Sequence, residues 1–435
     1  MSTITPKNVH EVLGRHMLAD GFDMVYDLEK SKGAYIYDSR NDVMLLDMFS
    51  FFASQPVGHN HPKIRDPKFV EKMGKVAIGN PSNSDIYTVE MAEFVDAVAR
   101  IAKPDYMKYM FFVAGGALAI ENAVKTAFDW KIRKNFKKGY KEEKGSKIIH
   151  FKEAFHGRTG YTLTMTNTHD PRKTKFFPKF DWPRVDNPKI VFPLEKHLND
   201  VVEAEKRSIA QIMDALAKNK DDIAGLIIES IQGEGGDNHF RPEFMQQLQT
   251  ICRENEMMFI VDEVQSGCGL TGKMWAFEHY GIQPDIVAFG KKMQVCGIFV
   301  SPRVDEVEDN VFHEASRINS TWGGNLADMV RATRYLEIIK EDNLVENAAK
   351  MGEYFIGKLR TLEGKITNIR GKGLMMAFDL KDTDARGKFV SEMYKENVVV
   401  LPCGAVSVRF RPFLDVTKAD LDTAFAAIEK ALSRV

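Results

Sequence analysis

Apolar strand-like runs alternating with amphipathic helix-like runs predict an α/β protein built on a mainly parallel sheet. Three segments carry this expectation: Ala224-Gly-Leu-Ile-Ile-Glu-Ser-Ile-Gln-Gly-Glu-Gly-Gly236, Met257-Met-Phe-Ile-Val-Asp-Glu-Val-Gln-Ser-Gly267 and Asp285-Ile-Val-Ala-Phe-Gly-Lys-Lys-Met-Gln-Val-Cys-Gly297. Each runs from apolar, largely β-branched residues into a polar or glycine-containing turn, as strands buried on both faces do. Helix-like stretches such as Arg241-Pro-Glu-Phe-Met-Gln-Gln-Leu-Gln-Thr-Ile-Cys-Arg253 lie between them. The resulting βαβα order places ligands at the carboxyl ends of the strands. Glu234, Asp262 and Lys291 recur at near-equal spacing and are read as the strand-end residues.

The other elements follow the same pattern. Met110-Phe-Phe-Val-Ala-Gly-Gly-Ala-Leu-Ala-Ile-Glu-Asn-Ala-Val-Lys125 reads as a strand, a glycine pair and a helix. Ser146-Lys-Ile-Ile-His-Phe151 reads as a further strand. A helical stretch from Asn325 to Glu341 leads to a C-terminal part with strands Leu374–Leu380, Val398–Leu401 and Val406–Phe410. Thr417-Lys-Ala-Asp420 has the form of a capping box opening a helix from Lys418 to Leu432.

A chain of 435 residues suggests two or three structural parts. The expected division is 1–59 as the N-terminal segment of a small domain, 60–325 as a large domain and 326–435 as the C-terminal part of the small domain. Composition is that of a globular protein, 44% hydrophobic and 28% charged. A net charge of −1 provides no global field toward nucleic acid or a membrane surface. The basic run Lys131–Lys144 contains acids and reads as a solvated helix end, not a nucleic-acid patch. Four cysteines without CxxC spacing read as free thiols in a reducing compartment. Met1-Ser-Thr-Ile-Thr-Pro-Lys7 has no basic-then-apolar signal, and the longest apolar run is too short to span a bilayer. A cytoplasmic protein is expected. His59 and His61 lack a third ligand at a usual spacing, so no metal site is expected.

A lysine and an aspartate at neighbouring strand ends are what pyridoxal phosphate requires. The lysine forms a Schiff base, and the acid keeps the pyridine nitrogen protonated so that the ring works as an electron sink. A lysine pair after a strand is more ordinarily a solvated loop, and an aspartate there a helix cap. Their coincidence favours the cofactor reading. Gly115 and Gly116 bare the amides of a helix N-terminus, which suits a phosphate. Phe155 can stack on a planar ring, and the planar fork of Arg158 can hold a carboxylate. Ser320-Thr-Trp-Gly-Gly-Asn325 offers hydroxyls to a phosphate. Arg409 and Arg411 would share one face of an extended segment.

Gly58-His-Asn-His-Pro62, Ala154-Phe-His-Gly-Arg158, Asp262-Glu-Val-Gln-Ser-Gly267, Gly290-Lys-Lys292 and Ser320-Thr-Trp-Gly-Gly-Asn325 together resemble a class III aminotransferase of the ornithine/GABA type, over almost the whole chain. Ala114-Gly-Gly-Ala117, Asn80-Pro-Ser-Asn-Ser84, Lys291-Lys-Met-Gln-Val-Cys296 and Arg317-Ile-Asn-Ser-Thr321 resemble the lysine ε-aminotransferase branch, which draws Asn319 into the substrate set. The resemblance implies the pyridoxal-phosphate-dependent fold type I, with a large mainly parallel-sheet domain and a smaller α/β domain from both chain ends. It implies that Lys291 forms the Schiff base and shuttles the proton, with Asp262 on the pyridine nitrogen. Gln265 would contact the ring hydroxyl, Phe155 the ring face, and Gly115, Gly116 and Ala117 the phosphate. Thr321 would reach the phosphate of the neighbouring subunit of a homodimer. Arg158 would bind the distal carboxylate, and Arg409 the α-carboxylate of the oxo acid, with Glu234 as its partner. Many family members carry Ser-Gly-Thr where this chain has Gly115-Gly-Ala117, which either weakens phosphate holding or shifts it onto amides.

The implied reaction moves the ε-amino group of L-lysine to 2-oxoglutarate, giving glutamate and a semialdehyde that cyclises. Rival readings are another ω-aminotransferase (GABA, ornithine or a related amine), a racemase on the same fold, and a non-catalytic binding protein. Strict need for an oxo-acid acceptor would exclude the racemase, and a colourless purified protein would favour the last.

Overall fold

The computed structural model describes residues 3–435. Met1 and Ser2, which open the segment read for a targeting signal, lie outside the described residues. Strands β1 (Tyr35–Asp38) and β2 (Val43–Asp47) form an antiparallel pair near the N-terminus. A seven-stranded sheet follows: β3 (Tyr109–Val113), β4 (Lys147–Phe151), β5 (Arg184–Val185), β6 (Ile223–Glu229), β7 (Met258–Asp262), β8 (Ile286–Phe289) and β9 (Cys296–Val300). Its order is β3-β9-β8-β7-β6-β4-β5. Every residue of β6, β7 and β8 is buried, because helices cover both faces.

The sheet departs from the all-parallel pattern at one strand. β9 runs antiparallel to both β3 and β8. Only Gly290–Val295 connects β8 to β9, and a connection this short cannot hold the crossover that a parallel partner needs. The chain must turn back on itself, which leaves the lysine pair on a tight turn at the sheet's carboxyl edge.

The C-terminal part holds β10 (Thr367–Lys372), β11 (Met375–Asp379), β12 (Val398–Val399), β13 (Leu401–Cys403) and β14 (Ser407–Phe410). Four of these make a second sheet in the order β10-β11-β14-β13. β12 instead pairs in parallel with β2, Val398 opposite Leu46. The two chain ends therefore share a sheet. The final helix is Lys418–Leu432, and Thr417 and Asp420 form its capping box.

One close approach between central strands requires a glycine. Gly225 lies where a Cβ would come within 2.8 Å of the Met258 carbonyl oxygen, between central strands. The basic run beginning at Lys131 is a solvated helix end only in part. Its helix ends at Lys137, but the Lys131 side chain is buried and its amine donates to the Glu256 carbonyl at 3.0 Å. Its aliphatic stem packs inward while the amine caps a neighbouring turn. Among the described residues no helix is long and apolar enough to cross a membrane.

A buried ion pair ties the second sheet to the first. Arg411, just after β14, meets Asp237 in the loop after β6, with Nη1 2.7 Å from Oδ2 and Nη2 on the other oxygen. Both side chains are fully buried. Removing one partner strands the other without water, so Asp237→Ala is expected to destabilise the fold by about 3–5 kcal/mol. A lowered urea midpoint with an unchanged slope would report it.

Candidate active site

The parallel strands end together and deliver their last residues to one place. Asp262 ends β7 and is paired in register with Glu229, the last residue of β6. The strand end of β6 is thus Glu229, and Glu234 lies in the loop beyond it, not at the strand end as the spacing suggested. Asp262 Oδ1 accepts the Val264 N–H at 3.0 Å, and Oδ2 lies 2.8 Å from His156 Nδ1. The histidine is buried and its Nε2 has no partner. His156 was visible inside Ala154-Phe-His-Gly-Arg158 but carried no assigned role. Burial raises the Glu229 carboxyl well above its usual range, and Asp262 alongside raises it further. Glu229 accepts the N–H groups of Phe155 (2.9 Å) and Gly233 (3.1 Å), so it braces the segment that carries the Phe155 ring.

The two lysines after β8 point to different surroundings. The Lys291 amine donates to the Phe52 carbonyl at 3.0 Å. Burial lowers it to about 8, aided by Arg409 and Arg411 and opposed by Asp262 and Glu234. All four lie close enough to act on this amine. Lys292 is driven still lower by burial, to about 7, but its neighbours are Cys268, Arg411 and Asp47, and its amine donates to the Gln55 carbonyl at 3.2 Å. The softer amine is therefore the one outside the site, and geometry favours Lys291 as the reactive lysine.

The partner of both lysines is an unusual turn that the sequence did not reveal. Ser50, Phe51, Phe52 and Ala53 all have positive φ, from 41° to 66°. A left-handed turn of non-glycine residues costs roughly 1–2 kcal/mol per residue. Asp47 holds its entry by accepting the Phe49 and Ser50 N–H groups at 2.9 and 2.7 Å. Ser50 Oγ donates to the Arg411 carbonyl at 2.6 Å, and Gln294 Nε2 to the Ser54 carbonyl at 2.6 Å. The turn is thus clamped against the lysine loop from several sides.

Arg409 comes from β14 and is 4% exposed. Its Nη2 lies 2.7 Å from Glu234 Oε2, and its Nη1 donates to Gln265 Oε1 at 3.3 Å. Arg411 Nη2, from just beyond the strand, donates to the same Gln265 oxygen at 3.1 Å. Glu234 Oε1 accepts from Lys173, a residue without an assigned role in the sequence. Burial opposes ionisation of Glu234, but Arg409 and Lys173 together hold its carboxyl below the usual value.

Gly115 caps the helix Gly116–Lys137 with φ 109°, and no side chain caps that end. A Cβ on Gly116 would come within 2.9 Å of Val264 Cγ1, so bare backbone is required where the helix meets the loop after Asp262. The Gly115 N–H meets the Cys296 thiol, and the first amides of the helix, from Gly116 and Ala117 on, have no partner within the helix. Arg158, Asn319 and Thr321 are exposed, and among the described residues none is hydrogen-bonded or ion-paired to Lys291, Asp262, Glu234 or Arg409. The Ser320–Asn325 loop is tied instead to the Asn80–Asp85 segment, through Ser82 to the Thr321 carbonyl at 2.7 Å and Asn83 to the Gly324 carbonyl at 3.1 Å.

A half-buried amine of lowered basicity, a fixed aspartate and an uncapped helix end fit pyridoxal phosphate. Comparison with known proteins agrees. The family profile described as Aminotransferase class-III matches residues 18–432. The L-lysine-epsilon aminotransferase of Streptomyces clavuligerus is 46% identical over 437 residues, covering 99% of this chain and 95% of that protein. Human mitochondrial 4-aminobutyrate aminotransferase is 31% identical over 419 residues, covering 91% and 82%. Among solved structures, lysine aminotransferase from M. tuberculosis in the internal aldimine form superposes with a TM-score of 0.97 at 47% identity, covering 99% of this chain and 100% of that one. The chain belongs to the class-III aminotransferases, enzymes that use pyridoxal phosphate.

Two outcomes test the lysine assignment. Borohydride reduction of the holoenzyme followed by peptide mass spectrometry should place the cofactor on Lys291. The label should vanish in Lys291→Ala and persist on Lys291 in Lys292→Met, although Lys292→Met should lose stability through its Gln55 anchor. An amine at about 8 must also lose its proton before it attacks. The rate at which cofactor-free protein recaptures pyridoxal phosphate should rise about tenfold per pH unit below 8 and level off above it.

Proposed function

We propose that this chain is an L-lysine 6-transaminase. It would transfer the ε-amino group of L-lysine to 2-oxoglutarate, giving glutamate and 2-aminoadipate 6-semialdehyde, which cyclises to piperideine-6-carboxylate. The observation that carries the reading is the Glu234–Arg409 pair at 2.7 Å. Lysine reacting at its terminal amine brings one carboxylate, far from the reacting carbon. 2-Oxoglutarate brings two, one of them next to that carbon. A pocket for both needs an arginine that can be neutralised for the first and freed for the second. An open arginine beside lysine would be a costly unpaired buried charge. The relatives named for lysine support the choice of amine, and the 4-aminobutyrate relative keeps another ω-amine as the alternative.

Pyridoxal phosphate supplies the aldehyde that takes up the amino group and a protonated ring that serves as electron sink. Asp262, held by Val264 and His156, would keep the ring nitrogen protonated. Gly115, Gly116 and Ala117 would hold the phosphate through their amides, and Phe155 would cover the ring face. Gln265 would turn from the arginines to the ring hydroxyl. The Lys291 amine, once released, would carry the proton between the substrate carbon and the cofactor, which its lowered basicity permits. Arg158, exposed and without a partner, would take the distal carboxylate of either substrate, and Asn319 would join the substrate contacts.

The active unit we propose is a homodimer in which Thr321 reaches the partner's phosphate. Trp322 (51% exposed) on the same loop and Tyr87 (77%) beyond the segment it is tied to leave apolar surface that a second copy would cover. The domain division that we propose is 1–59, 60–325 and 326–435, and the β2–β12 pairing supports it. Cytoplasmic location is supported by four unpaired cysteines.

Stopped-flow half-reactions of Glu234→Ala with lysine and with glutamate test the proposed function. Freeing Arg409 should shift the enzyme toward glutamate, with lysine slowed by about tenfold or more, since one charge-assisted contact is worth about 1.5–3 kcal/mol. Equal losses for the two amines would leave Glu234 a structural acid.

A further inference from the structure

Glu234 holds two cations at once, and they come from different parts of the molecule. Arg409 approaches Oε2 from β14 of the second sheet, while Lys173 approaches Oε1 from the turn Pro171–Lys173. Asp170 shapes that turn by accepting the Arg172 N–H at 3.1 Å and its Nε at 2.9 Å. The Lys173 amine stands 5.8 Å from the centre of the Phe155 ring, on the rim of the site. Its side chain is 14% exposed and that of Glu234 is 24%.

We infer that Lys173 is the second berth of the Glu234 gate, a positioning residue that keeps the carboxylate paired when it leaves Arg409 for a dicarboxylic substrate. The inference rests on the proposed exchange at Arg409. A largely buried carboxylate that gave up its arginine with nothing to go to would lose its pairing and meet the repulsion of the incoming carboxylate. With Lys173 in place, Glu234 can rotate off the guanidinium and remain on the ammonium. A lysine suits this task because its compact charge on a flexible stem follows a moving partner, whereas a planar fork fixes one. The charges also balance. Lys173, Glu234 and Arg409 sum to one positive charge, which the α-carboxylate of the oxo acid or of glutamate neutralises. Lysine, reacting at its far end, brings no carboxylate there and leaves the gate shut.

The test is a set of single half-reactions of the holoenzyme with L-lysine and with L-glutamate, in wild type, Lys173→Met, Lys173→Arg, Glu234→Ala and the Lys173→Met/Glu234→Ala double variant. Lys173→Met should slow the glutamate half-reaction about tenfold, the worth of one charge-assisted hydrogen bond, and leave the lysine half-reaction within about twofold. Lys173→Arg should recover most of the glutamate rate. In the Glu234→Ala background the lysine substitution should change neither half-reaction, because Lys173 acts through Glu234. Equal losses with both amines, no loss with glutamate, or a loss that persists without Glu234 would overturn the proposal; the last would make Lys173 a direct carboxylate ligand. A wild-type enzyme inert toward lysine would overturn the underlying substrate reading as well, and wild-type traces alone reveal it.

Discussion

A buried arginine needs a counter-charge, and in this protein Arg409 takes it from Glu234. Arg409 sits on β14 among buried neighbours, with Arg411 two residues on already satisfied by Asp237. The second arginine is thereby fixed as a structural tie, and only Arg409 keeps a partner on a mobile type of side chain. The same field reaches the Lys291 amine. Arg409 and Arg411 help to lower Lys291, so a change in the pairing of Arg409 is felt at that amine. A substrate carboxylate that replaces Glu234 on Arg409 preserves the charge balance around that amine.

The rest of the fold holds these groups in range. Parallel strands β6, β7 and β8 end at one edge, which places Glu229 beside Asp262 and the lysine turn beyond. The antiparallel return of β9 makes that turn tight. The left-handed turn at Ser50–Ala53, from the N-terminal part of the chain, then closes over it and accepts the Lys291 amine. Its strain is offset by bonds to Asp47, Arg411 and Gln294. The site is thus assembled from the large sheet, the second sheet and the N-terminal segment, and each contributes one side of the same charged pocket.

Much of this was legible in the sequence wherever the signal was local. The apolar runs at β6, β7 and β8, the helix cap at Thr417 and the uncapped glycine pair at Gly115 depend on neighbours in the chain, and the structure bears each out. Their spacing also pointed to Lys291 and Asp262. What escaped depends on contacts between distant segments. Glu234 passed for a strand end because nothing local distinguishes it from Glu229, which register alone identifies. Lys131 read as solvated because a helix sequence does not reveal the Glu256 carbonyl it caps. His156 lies inside Ala154-Phe-His-Gly-Arg158, but its bond to Asp262 joins segments distant in the chain. Lys173 sits in a polar loop with no periodic pattern, and only its meeting with Glu234 distinguishes it from its neighbours.

The claim at the centre is that one pocket takes the terminal nitrogen of lysine and passes it to a dicarboxylic oxo acid. Isotope tracing tests it directly. Lysine carrying nitrogen-15 only at the ε-position, incubated with holoenzyme and 2-oxoglutarate, should yield glutamate labelled in step with lysine consumed, and a cyclised product that has lost the label. Unlabelled glutamate, formed from the α-nitrogen, would contradict the account, as would the absence of any glutamate while another ω-amine is turned over.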